Sequence, residues 1–164
     1  MGLAVDIITS WRHPRQVMAR HMSRDEREDR AFMYLILACV LIYVSRWPGL
    51  ARLAQTDPST PLEMRLGGAL FAWIFIVPLA LYLIAALSRL ISGVFGGRGS
   101  WYSARLALFW SLLAATPLWL LNGLVEGYAL PELIENGVGA IALAAFAVIW
   151  LSSLIEAEFG GGRT

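Results

Sequence analysis

Few side chains in this sequence are of a type that does chemistry, and each can be held against the spacing its chemistry needs. Gly96, Gly97 and Gly99 surround Arg98 in "VFGGRGSWYSARLALFW", residues 94 to 110. A glycine loop opening a helix can cradle phosphate, but this one lacks the G-x-x-x-x-G-K-[ST] spacing and no strand precedes it. Nucleotide binding is not expected. The carboxylates of "SRDEREDR", residues 23 to 30, alternate with Arg24, Arg27 and Arg30. That pattern reads as a solvated, salt-bridged helix turn rather than a metal cradle. His13 and His21 lie in the same polar leader without an H-E-x-x-H pattern. Cys39, the single cysteine, sits in an apolar run and reads as a small buried hydrophobe, with neither a disulfide nor a thiolate metal site. Asn122 is harder to hide, because it falls within an apolar segment. An interhelical hydrogen bond or a pore-lining role would each use it. No Ser–His–Asp set or carboxylate pair accompanies it. The chain reads as a non-enzyme, with no catalytic or metal-ligating residues and no cofactor.

The elements that position these residues follow from composition. Of 164 residues, 58% are hydrophobic and 15% charged, with a mean hydropathy of +0.62. A soluble domain carries about 25% charged residues. The charges gather in the first 30 residues and in short connectors, which predicts an all-α integral membrane protein. Four transmembrane helices are expected near 24–47, 61–94, 101–126 and 131–157. They follow an amphipathic, interfacial helical leader over 1–23 and end in a short tail over 158–164. Pro78 alone interrupts residues 69–87, and a single proline kinks a helix without reversing it, so the second segment stays one span. Pro78 and Pro117 are each expected to bend their helix, and Thr116 to help satisfy the turn that Pro117 disrupts. Ser23 with Glu26, and Thr60 with Glu63 around Pro61, have capping-box spacing and predict the starts of the first and second spans.

Orientation follows from the arginines, which are all thirteen of the basic residues. With the N-terminus inside, ten fall on the cytoplasmic side and three, Arg46, Arg52 and Arg65, on the other. Both termini are therefore expected in the cytoplasm. The arginine-only usage, with abundant Ala, Leu and Gly, points to a bacterial inner membrane. The net charge of +1 gives no reason to expect nucleic acid. The glycine–arginine stretch then becomes a cytoplasmic hairpin between the second and third spans. Its glycines permit a left-handed C-cap and a tight reversal. Arg89, Arg98 and Arg105 hold it inside, and Trp101 and Tyr102 anchor the incoming helix at headgroup level.

The leader carries no signal-peptide pattern and is expected to be retained. Ile7, Ile8, Trp11, Val17, Met18, His21 and Met22 recur at roughly helical spacing beside Arg12, Arg15 and Arg20, with Pro14 dividing or starting a helix. The leader either lies on anionic lipid or packs on the protein's own cytoplasmic loops. Small residues recur every four positions at Ala107, Ser111 and Ala115, at Gly68 and Ala72, and at Ala140 and Ala144, and predict close helix packing within the chain or between subunits. Trp110 and Trp119 both fall within the third span, away from the headgroup level that Trp prefers. They make that span the first candidate for docking another membrane protein. The alternative is internal, with the Trp119 N–H bonded to Asn122 or to a carbonyl freed by Pro117.

The stretch "GGRGSWYSARLALFWSLLAATPLWLLNGL" resembles the signature region of the Yip family of Ypt/Rab-interacting membrane proteins and their bacterial relatives. The likeness rests on Gly96, Gly97, Gly99, Trp101, Tyr102 and Pro117, with Pro78 and the leader "WRHPRQVMARHM" in keeping, and covers roughly residues 10–157. It implies a multi-span helical bundle with a cytoplasmic N-terminus. Family domains commonly have five spans, where this chain has the pattern for four. Eukaryotic members bind prenylated Rab GTPases or shape membranes, and that role is not carried over here. The function expected is that of a non-catalytic scaffold, assembly factor or accessory subunit, with the lipid bilayer and another membrane protein, or a second copy, as partners. The alternative is a small transporter or channel with a site near the proline-broken second and third spans.

A reporter fused after Thr164 is expected to read as cytoplasmic, and one inserted within residues 48–60 as periplasmic. A C-terminal reporter on the opposite side refutes the four-span count.

Overall fold

The computed structural model describes residues 2–23, 25–128 and 130–160, with Glu132 described by its backbone alone. Arg24 and the tail residues 161–164, on which some sequence expectations fall, lie outside the described residues. Two short helices, α1 (Leu3–Ser10) and α2 (Pro14–Met22), precede α3 (Glu28–Ser45), α4 (Trp47–Thr56) and α5 (Leu62–Phe71). A π-helical turn over Ala72–Ile76 leads into α6 (Val77–Val94), followed by α7 (Trp101–Gly127) and α8 (Glu132–Phe159). No strand occurs among the described residues. Four stretches are long and apolar enough to cross a bilayer: Glu28–Thr56, Leu62–Val94, Trp101–Gly127 and Leu133–Phe159. The fold is the all-α, four-span membrane architecture that the apolar segments predict.

α7 is the hub. From Tyr102 to Thr116 every residue but Arg105 is buried, as expected of a helix that is apolar all round. α3 and α8 make its broadest contacts, with α4, α6 and α1 completing the ring. Ala107, Ser111 and Ala115 are fully enclosed, so this small-residue stripe serves packing within the chain. Cys39 is buried in the same core, as its apolar setting predicts. The other two stripes behave differently. Gly68, Ala140 and Ala144 are exposed on the outside of the bundle.

The second half of α7 is held by glycines that the sequence reading passed over. Gly123 and Gly127 form a G-x-x-x-G pair, the pattern that lets helix backbones touch. A Cβ on Gly123 would overlap the carbonyl of Ser45, at the corner where α3 turns into α4. One on Gly127 would press on Pro48, and one on Gly49 would come within 2.7 Å of the Glu126 carboxylate. The stretch 48–60, expected as a plain connector, thus begins with a helix whose start is seated against α7.

The prolines are accommodated by two different devices. Before Pro78 the ladder widens, and the Val77 N–H donates to Ala72, five residues back. In α7 the helix continues through Pro117. The carbonyl that Pro117 leaves free is that of Leu113, and the Thr116 hydroxyl donates to it at 2.8 Å. This is the role expected of Thr116.

Both predicted capping boxes are corrected. Ser23 terminates α2, its hydroxyl donating to the Arg20 carbonyl, and residues 25–27 separate it from the start of α3 at Glu28. Thr60 precedes a proline and so favours an extended backbone. Pro61 is the extended N-cap residue of α5 rather than its first helical residue, and no side chain caps that start. Arg65 braces the connector instead, donating to the carbonyls of Thr60 and Asp57.

The leader packs on the spans, not on the cytoplasmic loops expected as one of its two supports. α1 packs on α7 and α2 packs on α8, with Val17 and Met18 fully buried. α1 is turned inside out: Asp6 and Ser10 face the protein, whereas Leu3, Val5 and Ile8 face outward.

Gly123→Ala is expected to lower the unfolding temperature in detergent and to cost more than about 2 kcal/mol, since α7 and the α3–α4 corner must separate to admit a methyl group. Gly67→Ala, whose Cβ would meet nothing within 4 Å, is expected to be neutral or to stabilise by up to about 1 kcal/mol. Equal effects would show that the close approach at Gly123 does not exist.

Candidate functional site

Polar side chains gather at the two ends of the bundle. At the end that carries the leader, α6 finishes in a Schellman motif: Gly96 is left-handed with φ 82°, its N–H donates to Gly93, and that of Gly97 to Ser92. The other two glycines of the stretch have a different cause. A Cβ on Gly97 or Gly99 would lie 2.7 or 2.8 Å from the Glu158 side chain. That side chain is wholly buried beneath the hairpin. Its Oε2 accepts the Gly99 N–H at 3.1 Å and pairs with Arg89 at 3.3 Å, while its backbone carbonyl accepts the Arg98 N–H. Ser100 then opens α7 with a reciprocal capping box to Ser103. The hairpin is built around a carboxylate from the last span.

The anchors expected here divide. Arg98 and Trp101 are exposed. Tyr102 turns inward, contrary to the headgroup role expected of it, because its hydroxyl accepts from Arg30 at 3.2 Å. Arg105 pairs with Glu28 across to α3.

At the far end Asn122, Glu126 and Glu135 meet Arg46 and Arg52. Glu126 accepts from Arg46 at 2.7 Å and from the Asn122 amide at 2.8 Å, and Arg52 reaches both the Glu126 carbonyl and the Glu135 carboxylate. The interhelical bond expected of Asn122 is therefore a bond within its own helix. Its Oδ1 has no donor among the described residues and faces the open side of Gly139 on α8. Beyond this end, Asp57 in the connector accepts from Ser59 and from Arg65, which together hold its carboxyl down to about 2. Along α7, Arg105 and Glu126 are separated by about 31 Å at the helical rise. The two sets of ion pairs are thus one hydrocarbon thickness apart.

Between them lie the tryptophans. Trp110 is fully enclosed. Its N–H donates to the Ser10 hydroxyl at 2.9 Å, and its ring meets those of His21 at 4.4 Å and Tyr34 at 5.1 Å. The idea of Trp110 as a lipid-facing docking residue is overturned by this burial: the leader already occupies its face. Trp119 is half-buried, and its N–H has no acceptor among the described residues. Thr116 bonds the freed carbonyl, and the Asn122 Oδ1 is itself without a donor among the described residues, so neither bond expected of Trp119 is made.

The Yip1 domain model matches residues 8–158, from the middle of α1 to the penultimate residue of α8. The chain belongs to the Yip1 family. The match takes in the end of α1 and all of α2 as well as the four spans. No curated protein and no solved structure matches the chain.

Two features of this Yip1 domain escaped sequence reasoning, and each had a signal. Glu158 lies in the amphipathic close of the last span and looked like part of the tail. The ion-pair partners Arg46–Glu126 and Arg89–Glu158 are visible only as charges at the ends of apolar runs, whose pairing needs the bundle.

Glu158→Ala is expected to destabilise the domain by about 3 kcal/mol, because it strands Arg89 and the Gly99 N–H and leaves a void under the hairpin. Glu158→Gln, which keeps an acceptor, should cost less. Thermal unfolding in detergent measures both, and an unaffected Glu158→Ala variant removes the hairpin's organising group.

Proposed function

We propose that this Yip1 domain is a non-catalytic scaffold or accessory subunit that docks another integral membrane protein in a bacterial inner membrane, with both termini in the cytoplasm. The observation that carries the reading is the outward face of the second and fourth spans. Gly67, Gly68 and Gly137 would meet nothing within 4 Å if they carried a Cβ, so nothing within the chain requires them to be glycine. Ala140 and Ala144 continue the last of these as an exposed small-residue track on α8. Such tracks let a neighbouring helix approach closely. The docking face therefore moves from the third span, where the tryptophans had placed it, to α8 and α5. The arginine asymmetry supports the orientation.

One observation favours a second reading, passage of a small solute. The Trp119 N–H and the Asn122 Oδ1, a donor and an acceptor one turn apart in α7, both lack partners among the described residues. They lie beyond Pro117, in the span next to the one carrying Pro78.

The experiment is purification of the native protein in mild detergent after crosslinking in its own membranes. The expected result is a reproducible larger complex, which Ala140→Leu/Ala144→Leu loses while its unfolding temperature is unchanged. A protein that purifies alone from crosslinked membranes, or a double variant that keeps every partner, defeats the proposal. Solute flux in liposomes that Asn122→Leu abolishes would establish the second reading in its place.

A further inference from the structure

The turn between α1 and α2 has a chemistry of its own. Arg12, His13 and Arg15 line a cleft of about 510 Å³ whose other wall is Ser152 and Glu156 of α8, with Gln16 between them. All three basic side chains are exposed, and none makes a hydrogen bond or ion pair with another described side chain. Glu156 is the single carboxylate in the lining, so the cleft keeps an excess of positive charge.

Its depth is fixed by hydrogen bonds. Ser10 accepts from Trp110, and the Trp11 N–H donates to the Ala114 carbonyl at 3.0 Å. These bonds seat the end of α1 against the first half of α7. The cleft sits at the level of Glu156, two residues from the buried Arg89–Glu158 pair that marks the membrane boundary. The helices that adjoin it, α1 and α8, carry bare apolar side chains. Ile8 is 70% exposed on α1, and Val148 and Leu151 are 62% and 52% exposed on α8. A soluble anion would leave those surfaces uncovered. A molecule with a phosphate head and acyl chains would cover both.

We propose that this cleft is a headgroup site for an anionic phospholipid. Arg12 and Arg15 hold the phosphate, His13 stands beside it, and the acyl chains run over Ile8, Val148 and Leu151. Basic pockets between helices at the inner face of a membrane recognise lipid head groups in this way.

The test uses full-length protein in mixed detergent micelles with equal amounts of phosphatidylglycerol and phosphatidylcholine. Native mass spectrometry reads the ratio of the two bound lipids. Wild type should be enriched in phosphatidylglycerol. Arg12→Gln/Arg15→Gln should reduce that enrichment about 30-fold, or abolish it, at about fivefold per arginine. Arg27→Gln/Arg98→Gln, with the same change in net charge, should leave it within about twofold. Glu156→Gln, which removes the opposing carboxylate, should raise it, and this variant decides the matter if the leader variant does not fold. Equal binding of the two lipids by wild type, or equal loss in both arginine pairs, overturns the proposal. Displacement of the bound lipid by millimolar inorganic phosphate would make the cleft a site for a free anion and overturn the lipid assignment.

Discussion

An indole N–H held inside a bilayer has no water to bond, and the Trp110 N–H is held there by a core that encloses it completely. Its acceptor is the hydroxyl of Ser10, which in turn donates to the backbone carbonyl of Asp6. Much of the leader's geometry depends on that bond. It requires α1 to lie against the first half of α7 with its polar side inward. That placement turns Leu3, Val5 and Ile8 outward and brings Asp6 within 3.5 Å of Arg20 on α2. α2 then closes the aromatic cluster through His21 and rests on α8.

The same rule, that polar groups in a membrane are satisfied from within, organises the rest of α7. Thr116 takes the carbonyl that Pro117 releases, Glu126 collects Arg46 and Asn122, and Glu158 serves the hairpin at the other end. Glycine is the means in each crowded place. It admits a carboxylate beneath Gly97 and Gly99 and a backbone against Gly123. The exceptions stand out for the same reason. Among the described residues, Trp119 and Asn122 keep an unmet donor and acceptor, and Gly67, Gly68 and Gly137 keep room that no neighbour fills.

The spans and the absence of strands were legible because bilayer thickness writes itself directly into the length of an apolar run. The left-handed turn at Gly96 and the service of Thr116 to Pro117 were legible because they are local, decided within five residues. What was not legible was contact between distant residues. Tyr102 looked like an interfacial anchor because its neighbours are, and only Arg30 on another helix turns it inward. Trp110 looked like a surface because a mid-span Trp lacks a local acceptor, and its acceptor lies at residue 10. The capping patterns at Ser23 and Thr60 failed for a related reason: four residues can fit a motif whose place has been taken by the end of a preceding helix or by a proline. The leader's outward apolar face needed knowledge of which solvent it meets.

The Ser10–Trp110 and Trp11–Ala114 bonds join residues separated by 100 and 103 positions. A ribosome releases α1 long before it has made the helix on which α1 rests. Until Ala114 has emerged and the third span has entered the bilayer, the leader has neither of those partners and must wait elsewhere, with its greasy side and its arginines on the same short segment. A helix made before α7 is thus seated only after it.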